Sequence, residues 1–222
     1  MKNRLFAYPL ALLALVFLAA GVAAPPRTPA PIMTYEGADW LERPTRAQED
    51  KPEEVLRAMK LKDGDLVADV GCGTGFYARR IAKAVGAAGK VYAVEIQPEM
   101  LDILRDRCAR EEITNVVPIL GTEDDPKLPP GKMDWILLVD VYHEFQDPEG
   151  MLKKLRESLA PGGKIALVEY RAEGDTANHI KPEHRMSVEQ VIAEWLPAGF
   201  KLVERLETLP SQHLFIFAQK RD

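Results

Sequence analysis

Residues 66–75, LVADVGCGTG, decide the fold that this sequence predicts. The first five are apolar apart from Asp69, which is typical of a strand buried in a sheet. Glycines then alternate with other residues, and glycine lets the chain turn tightly and brings backbone amides close to a ligand. They are Gly71, Gly73 and Gly75. The next ten residues have the apolar spacing of a helix, so the stretch predicts a strand, a glycine loop and a helix.

The rest of the chain continues this alternation of strands and helices. Further strands are predicted at residues 91–96, 116–120, 134–139 and 164–169, and helices near Pro52, Pro98, Pro148 and Ser187. Alternating strands and helices form a parallel sheet with right-handed crossovers, and apolar strands need helices on both faces. The last two strands, 200–209 and 214–218, are too close for a crossover and are predicted to be antiparallel. The sequence therefore predicts a doubly wound, Rossmann-like α/β fold whose mainly parallel seven-stranded sheet ends in an antiparallel hairpin.

The composition is that of a mildly acidic soluble domain. The chain has 222 residues, 46% hydrophobic and 28% charged, which excludes disorder over most of its length. A net charge of −5 argues against a nucleic-acid binder, which needs a basic face. Two cysteines exclude a disulfide scaffold and a cysteine-rich zinc module. Because Cys108 is expected about 15 Å along its helix and Cys72 at a strand end, two free thiols are predicted.

Residues 1–24 have the three-part layout of a secretory signal peptide. Lys2 and Arg4 come first, residues 5–20 are almost entirely apolar, and small residues complete the segment. The apolar run is only slightly short of a membrane span, so an uncleaved anchor stays open. We expect a periplasmic, secreted or N-terminally anchored protein with no other membrane contact. A true start at Met33 would instead make the protein cytoplasmic.

The chain changes character after this segment. Residues 25–33 contain four prolines, which is typical of a semi-extended linker. From residue 34 the composition is globular and no internal repeat is visible, so residues 34–222 are predicted to form one domain.

A carboxylate stands at or just after the end of every predicted parallel strand. Ligands of such sheets bind beyond these carboxyl ends. The acids expected at this rim are Asp69, Glu95, Glu123 with Asp124, Asp140 and Glu169. An acidic rim favours a cationic ligand over a polyphosphate. The dinucleotide fingerprint would have its third glycine where Phe76 stands, whereas Glu95, about 20 residues beyond the loop, suits a ribose diol.

Together these motifs resemble class I S-adenosylmethionine-dependent methyltransferases. The resemblance covers the glycine loop, the strand ending at Glu95, the LAPGG turn at residues 159–163 and the C-terminal hairpin. The stretches DVYHEF at 140–145 and HRMS at 184–187 are similar to a subgroup of small bacterial predicted methyltransferases. The connection over residues 121–132 departs from the family pattern because it barely fits a helix.

The resemblance implies S-adenosylmethionine as the cofactor. It places Glu95 on the ribose, Glu123 or Asp124 on the adenine edge, and Asp140 beside the methionyl part. The cofactor-binding residues that it implies are Asp69, Gly71, Cys72, Gly73, Thr74, Gly75, Glu95, Ile96, Glu123, Asp124 and Asp140.

The implied reaction is in-line attack by a small-molecule acceptor on the sulfonium methyl, which depends mainly on alignment. His143 is the candidate general base, although a plain loop histidine fits the sequence equally. Tyr142 could stack on cofactor or acceptor, or belong to the core. Residues 171–186 are long for a connection and are either a lid over the rim or a solvated loop. As a lid, the segment would supply the candidate acceptor-binding residues Arg171, His179, His184 and Arg185. The histidine spacing is not diagnostic of a metal, and none is expected.

Two other functions stay open. A nicotinamide-dependent oxidoreductase is disfavoured by Phe76 and by the acidic rim. One consideration favours a non-catalytic, exported cofactor-binding scaffold. The cofactor is made in the cytosol, so an exported enzyme would need a supply of it. Intact Asp69, glycine loop and Glu95 argue that binding is retained. The sequence carries no signal for the oligomeric state.

Overall fold

A computed structural model describes residues 27–220, so the predicted signal segment at 1–24 lies outside the described residues. The strands are β1 (Leu66–Val70), β2 (Lys90–Glu95), β3 (Val116–Leu120), β4 (Met133–Val139), β5 (Leu159–Tyr170), β6 (Phe200–Leu206) and β7 (Gln212–Gln219). They form one seven-stranded sheet in the order β3-β2-β1-β4-β5-β7-β6. Strands β1 to β5 pair in parallel, and β7 is antiparallel to both β5 and β6.

Helices cover both faces of the sheet. They are α1 (Ala38–Leu41), α2 (Arg46–Asp50), α3 (Pro52–Met59), α4 (Phe76–Ala84), α5 (Pro98–Arg110), α6 (Pro148–Ser158) and α7 (Val188–Trp195), with 3-10 turns at Tyr35–Gly37, Tyr142–Glu144 and Pro182–His184. Val55, Ile81 and Leu104 from α3, α4 and α5 are fully buried in one core, and Leu155 and Trp195 from α6 and α7 in the other. The predicted fold is confirmed.

Local chemistry explains where the helices begin. Proline occupies the first position of α3, α5 and α6, where its missing N–H costs no hydrogen bond. Asp147 caps α6 by accepting a hydrogen bond from the Gly150 amide at 3.0 Å. Ser187 caps α7 in the same way, accepting from the Gln190 amide at 3.1 Å. The helix starts predicted from the sequence are confirmed.

The strand order reverses between β1 and β4. The sheet continues from β1 to β2 on one side and from β4 to β5 on the other, so a crevice opens at their carboxyl ends. After β3 the chain forms no helix before β4, and a bridge between Thr122 and Asp125 closes the loop beside the crevice. The short connection at 121–132 is therefore a loop.

The segment predicted as a linker is packed against the domain from Arg27 onward. The Arg27 guanidinium forms an ion pair with Glu194 at 2.9 Å and donates a hydrogen bond to the His143 carbonyl at 2.9 Å. Ala30 is fully buried, and its amide donates to the same carbonyl at 3.0 Å. A proline-rich chain is extended, and this extended segment lies along the crevice and does not project into solvent.

Both cysteines are buried and free, as predicted, so the described domain is held together without a disulfide. No helix among residues 27–220 is both long and apolar enough to cross a membrane.

Gly75→Ala should lower the free energy of unfolding much more than Gly131→Ala. Both glycines have φ in the left-handed region, +83° and +67°, where alanine is strained by about 1–2 kcal/mol. A Cβ at Gly75 would overlap the buried Leu104 side chain, whereas at Gly131 it would meet nothing within 4 Å. Overpacking should therefore cost Gly75→Ala about 1–3 kcal/mol more, measured by urea unfolding. Equal losses would show that α5 yields without penalty.

Candidate functional site

The crevice holds a cavity of about 490 Å³, which is the size of a small-molecule site. Its floor is the glycine loop with the carboxyl ends of β1, β2 and β4. Its outer walls are residues 31–33, Trp40 and residues 179–181. Residues 31–33, near the start of the described chain, therefore form part of the cavity.

The glycine loop is tied down from both sides. The amides of Gly71 and Cys72 donate to the Val94 carbonyl at 2.9 and 3.0 Å, and a Cβ at Gly71 would overlap Val141. The Glu95 carboxylate accepts hydrogen bonds from the amide of Gly73 at 3.0 Å and from that of Ile96 at 2.7 Å. Glu95 thus positions the loop that surrounds the cavity floor.

Two carboxylates that line the cavity each have a buried oxygen without a partner. Asp69 Oδ2 and Asp140 Oδ1 have no hydrogen-bond partner among the described residues. The other oxygen of Asp140 accepts from Gln212 Nε2 at 2.8 Å, and Asp140 has a left-handed φ of 50°. Burial raises the pKa of Asp69 to about 7, and burial together with Glu169 raises the pKa of Asp140 well above its usual value. A cation bound beside them would therefore stabilise the charged form of both carboxylates.

The structure separates the predicted cofactor residues into two groups. The cavity is lined by Asp69, Gly71, Cys72, Gly73, Glu95, Ile96, Glu123 and Asp140. Thr74, Gly75 and Asp124 are not among the lining residues. The Thr74 hydroxyl donates to Glu42 at 2.7 Å, Gly75 makes room for Leu104, and Asp124 accepts from the Thr122 hydroxyl.

His143 is buried and held by Glu169. Its Nδ1 lies 2.6 Å from Glu169 Oε2, and the other oxygen of that carboxylate accepts from the Tyr142 amide at 2.7 Å. Burial lowers the pKa of His143, but the Glu169 carboxylate outweighs it, so the pKa is raised overall. Sequence reasoning placed Glu169 only at the rim and missed this contact, because β5 and the loop after β4 meet only in the folded sheet.

The segment at 171–186 brings a second histidine to the same end of the cavity. His184 Nδ1 lies 3.1 Å from His143 Nε2. The pKa of His184 is lowered, mainly by burial and secondly by the charge of His143. Glu144 lies beside them, and its burial raises its pKa to about 7. Ligand atoms of these three side chains lie within 4.8 Å of one another, so they could hold a metal ion, which the sequence spacing did not indicate.

Three predicted residues point elsewhere. Arg171 binds Glu207 at 2.9 Å and the Leu209 carbonyl at 2.9 Å, and Arg185 donates to the Ile180 carbonyl at 2.7 Å. Neither arginine lines the cavity, although His179 and His184 from the same segment do. Tyr142 is fully buried, with its hydroxyl on Glu194 and its ring beside those of Phe145 and Trp195. Tyr142 therefore belongs to the core.

Sequence reasoning also missed several lining residues. Pro31, Ile32 and Met33 gave no signal because their composition indicated a linker. Tyr77 lines the cavity and its buried hydroxyl has no partner among the described residues. It stands two residues after Gly75, and this closeness to the glycine loop was the only available signal.

Comparisons with known proteins agree with this geometry. Residues 67–163 match the family described as "Methyltransferase domain". The crystal structure of a SAM-dependent methyltransferase from Aquifex aeolicus has a TM-score of 0.77 and 28% identity over 84% of this chain and 98% of that one. Demethylmenaquinone methyltransferase of Geobacillus sp. (strain WCH70) is 26% identical over 53% of this chain and 50% of its own. Aklanonic acid methyltransferase DauC of Streptomyces sp. (strain C5) is 26% identical over 62% and 63%. The chain thus spans about half to two thirds of the length of these curated relatives.

The affinity for S-adenosylmethionine should depend on pH through Asp69. Because burial raises the pKa of this group from 3.8 to about 7, binding a cation below pH 7 requires loss of a proton. The dissociation constant should rise by up to about tenfold per pH unit below 7 and level off above it. Calorimetry between pH 6 and 8.5 measures this.

Asp69→Asn should weaken binding and make the dissociation constant less dependent on pH. Some pH dependence should remain, because the raised pKa of Asp140 acts in the same direction. The exposed Asp124 lies outside the cavity lining, so Asp124→Asn should keep the slope of the unaltered protein. A dissociation constant independent of pH in the unaltered protein would contradict the role of Asp69.

Proposed function

We propose that this chain is a class I S-adenosylmethionine-dependent methyltransferase and that it transfers the cofactor's methyl group to a small-molecule acceptor. The observation that carries the proposal is the pair of carboxylates beside the glycine loop, Asp69 and Asp140, each of which has a buried oxygen without a partner. An isolated buried carboxylate is costly, and a bound sulfonium or ammonium group would offset that cost.

The charge of the cavity favours this cofactor over a nicotinamide dinucleotide. The lining contains five carboxylates, against Arg46 and Lys181 as its basic residues. Arg46 is already paired with Asp50 at 2.9 Å. A pyrophosphate would be repelled, whereas the sulfonium and ammonium groups of S-adenosylmethionine would be attracted. Glu95 accepts three backbone hydrogen bonds and keeps one acceptor site, on Oε2, for a ribose hydroxyl. Glu123 also lines the cavity and is the residue that we assign to the adenine edge.

The reaction needs the acceptor and the methyl group in line. A nucleophilic atom of the acceptor forms a bond to the methyl carbon while the bond between that carbon and sulfur breaks. The electron pair of the broken bond stays on the sulfur, and S-adenosylhomocysteine leaves. Residues 31–33 and Trp40 provide apolar walls that exclude water and suit an apolar acceptor. His143, Glu144 and His184 form the polar end, where the acceptor would lose its proton. The assignment of His143 as the base stays a prediction, because its Nε2 already faces His184.

Location is a separate proposal. We infer from residues 1–24, which have the layout of a signal peptide, that the protein is exported or anchored at its N-terminus. Mass analysis of the native N-terminus decides it, since a protein starting at Met33 would contradict export.

Calorimetric titration tests the cofactor. The protein should bind S-adenosylmethionine and not NAD. Glu123→Gln should weaken this binding by about tenfold or less, as expected for one exposed contact. Asp124→Asn is the matched control, because that carboxylate is the next along the chain but lies outside the cavity. Binding of NAD alone would favour an oxidoreductase, and binding of neither would overturn the proposal.

Turnover separates an enzyme from a cofactor-binding scaffold. His143→Ala should lower kcat by about 10²–10⁴-fold, the usual contribution of a group that handles the acceptor's proton. Its dissociation constant for S-adenosylmethionine should stay close to that of the unaltered protein. The readout is S-adenosylhomocysteine formed with a panel of apolar acceptors. Cofactor binding with no turnover on any acceptor would favour the scaffold, and full turnover in His143→Ala would remove this residue from the chemistry.

A further inference from the structure

The acceptor end of the cavity brings together three side chains of the kinds that bind transition metals. His143 and Glu144 belong to the turn after β4, and His184 belongs to the Pro182–His184 turn. One ligand atom from each lies within 4.8 Å of the others. We propose that these three side chains bind a divalent transition-metal ion of the Zn²⁺ class. The catalytic role given to the ion below rests on the proposed methyl transfer.

The two histidines already have the separation that a shared ion requires. His143 Nε2 and His184 Nδ1 are 3.1 Å apart. Two nitrogens at about 2.0–2.1 Å from one tetrahedral zinc ion lie roughly 3.3 Å from each other. The rings are nearly perpendicular, at 86°, so the two side chains approach from different directions. A shift of a few tenths of an ångström would admit the ion.

Glu169 stands where a supporting carboxylate is expected. It lies behind His143, with its Oε2 2.6 Å from Nδ1, and is fully buried. A carboxylate in this position keeps the proton on Nδ1 and leaves the lone pair of Nε2 free for a metal. The orientation of His143 is therefore set before any ion arrives.

Glu144 lacks a cationic partner. Its carboxylate accepts a hydrogen bond from the Met33 amide at 3.4 Å, and no lysine or arginine of the described residues forms an ion pair with it. A divalent ion would supply the missing positive charge beside this carboxylate.

The ligand set selects the kind of metal. Two imidazoles and one carboxylate suit Zn²⁺, Co²⁺, Ni²⁺ or Fe²⁺, whereas Mg²⁺ and Ca²⁺ prefer oxygen ligands alone. Three protein ligands also leave one tetrahedral position open, as in catalytic zinc sites. All three side chains line the cavity, so that position can face an acceptor.

The open position gives the ion a role in the reaction. An acceptor hydroxyl or thiol bound there would have a lowered pKa and would release its proton to solvent. Its lone pair would then form the bond to the methyl carbon as the carbon–sulfur bond breaks. The ion is unchanged at the end, and no oxidant or reductant is needed.

Metal titration of the full chain tests the site without relying on activity. Protein stripped with a chelator should bind one Zn²⁺, measured against a competing chromophoric chelator, and Co²⁺ should give the visible absorption of a tetrahedral site. His184→Ala should weaken Zn²⁺ binding by more than about 100-fold, and Glu169→Gln by about 10–100-fold through its effect on His143. His179→Ala is the matched control, since His179 lines the cavity outside the cluster, and it should bind Zn²⁺ as the unaltered protein does.

The outcomes separate this inference from the proposed function. No stoichiometric Zn²⁺ binding, or equal binding by His184→Ala, overturns the metal site, and the two histidines are then a hydrogen-bonded pair. If such metal-free protein still binds S-adenosylmethionine and turns over, the proposed function stands without the ion. If Zn²⁺ binds as expected but S-adenosylmethionine does not, the metal site stands and the proposed function fails.

Discussion

Glu169 lies near the end of β5, fully buried, and its carboxylate makes three contacts with the loop that follows β4. It accepts from the amides of Tyr142 and His143 at 2.7 and 3.3 Å and from His143 Nδ1 at 2.6 Å. These contacts set the course of the chain directly after Asp140. The same loop presses Val141 against Gly71 and presents the His143 carbonyl to the N-terminal segment. One carboxylate thus connects the glycine loop, the polar end of the cavity and the residues that close it.

The carboxylates of the cavity lower the stability of the folded domain but favour the binding of a cation. Asp69 and Asp140 each have a buried oxygen without a partner, and Asp140 also has an unfavourable backbone conformation. The raised pKa of each is the sign of that cost. A folded domain would be more stable with apolar residues in their place, but it would lose its attraction for a cation. The acidic cavity therefore fits a ligand that brings positive charge.

The N-terminal segment links the site to the part of the chain that precedes it. Arg27 is anchored on Glu194 and on the His143 carbonyl, and Met33 donates its amide to Glu144. Residues 31–33 lie along the cavity between these contacts. The acceptor end of the cavity therefore depends on chain that the composition alone would assign to a spacer.

The sequence by itself determined the strands, the main helices from Pro52 onward, the parallel sheet with its C-terminal hairpin and most residues of the cavity floor. Their signals are local, because the apolar period of a strand or helix and the glycines of the 71–75 loop are visible within a few residues. Asp69 and Glu95 follow from the same local logic, since each stands at the carboxyl end of a parallel strand.

Only the tertiary structure decided which side chains meet at the acceptor end. His143 and His184 are separated by 41 residues, and no local pattern reports their 3.1 Å approach. The directions of Arg171 and Arg185 depended on whether a carboxylate or a carbonyl lay within reach, and those partners are set by the hairpin and by the 171–186 segment's own turns. The packing of residues 27–33 is equally non-local. Side-chain direction in loops is decided by such distant partners, which a period in the sequence cannot encode.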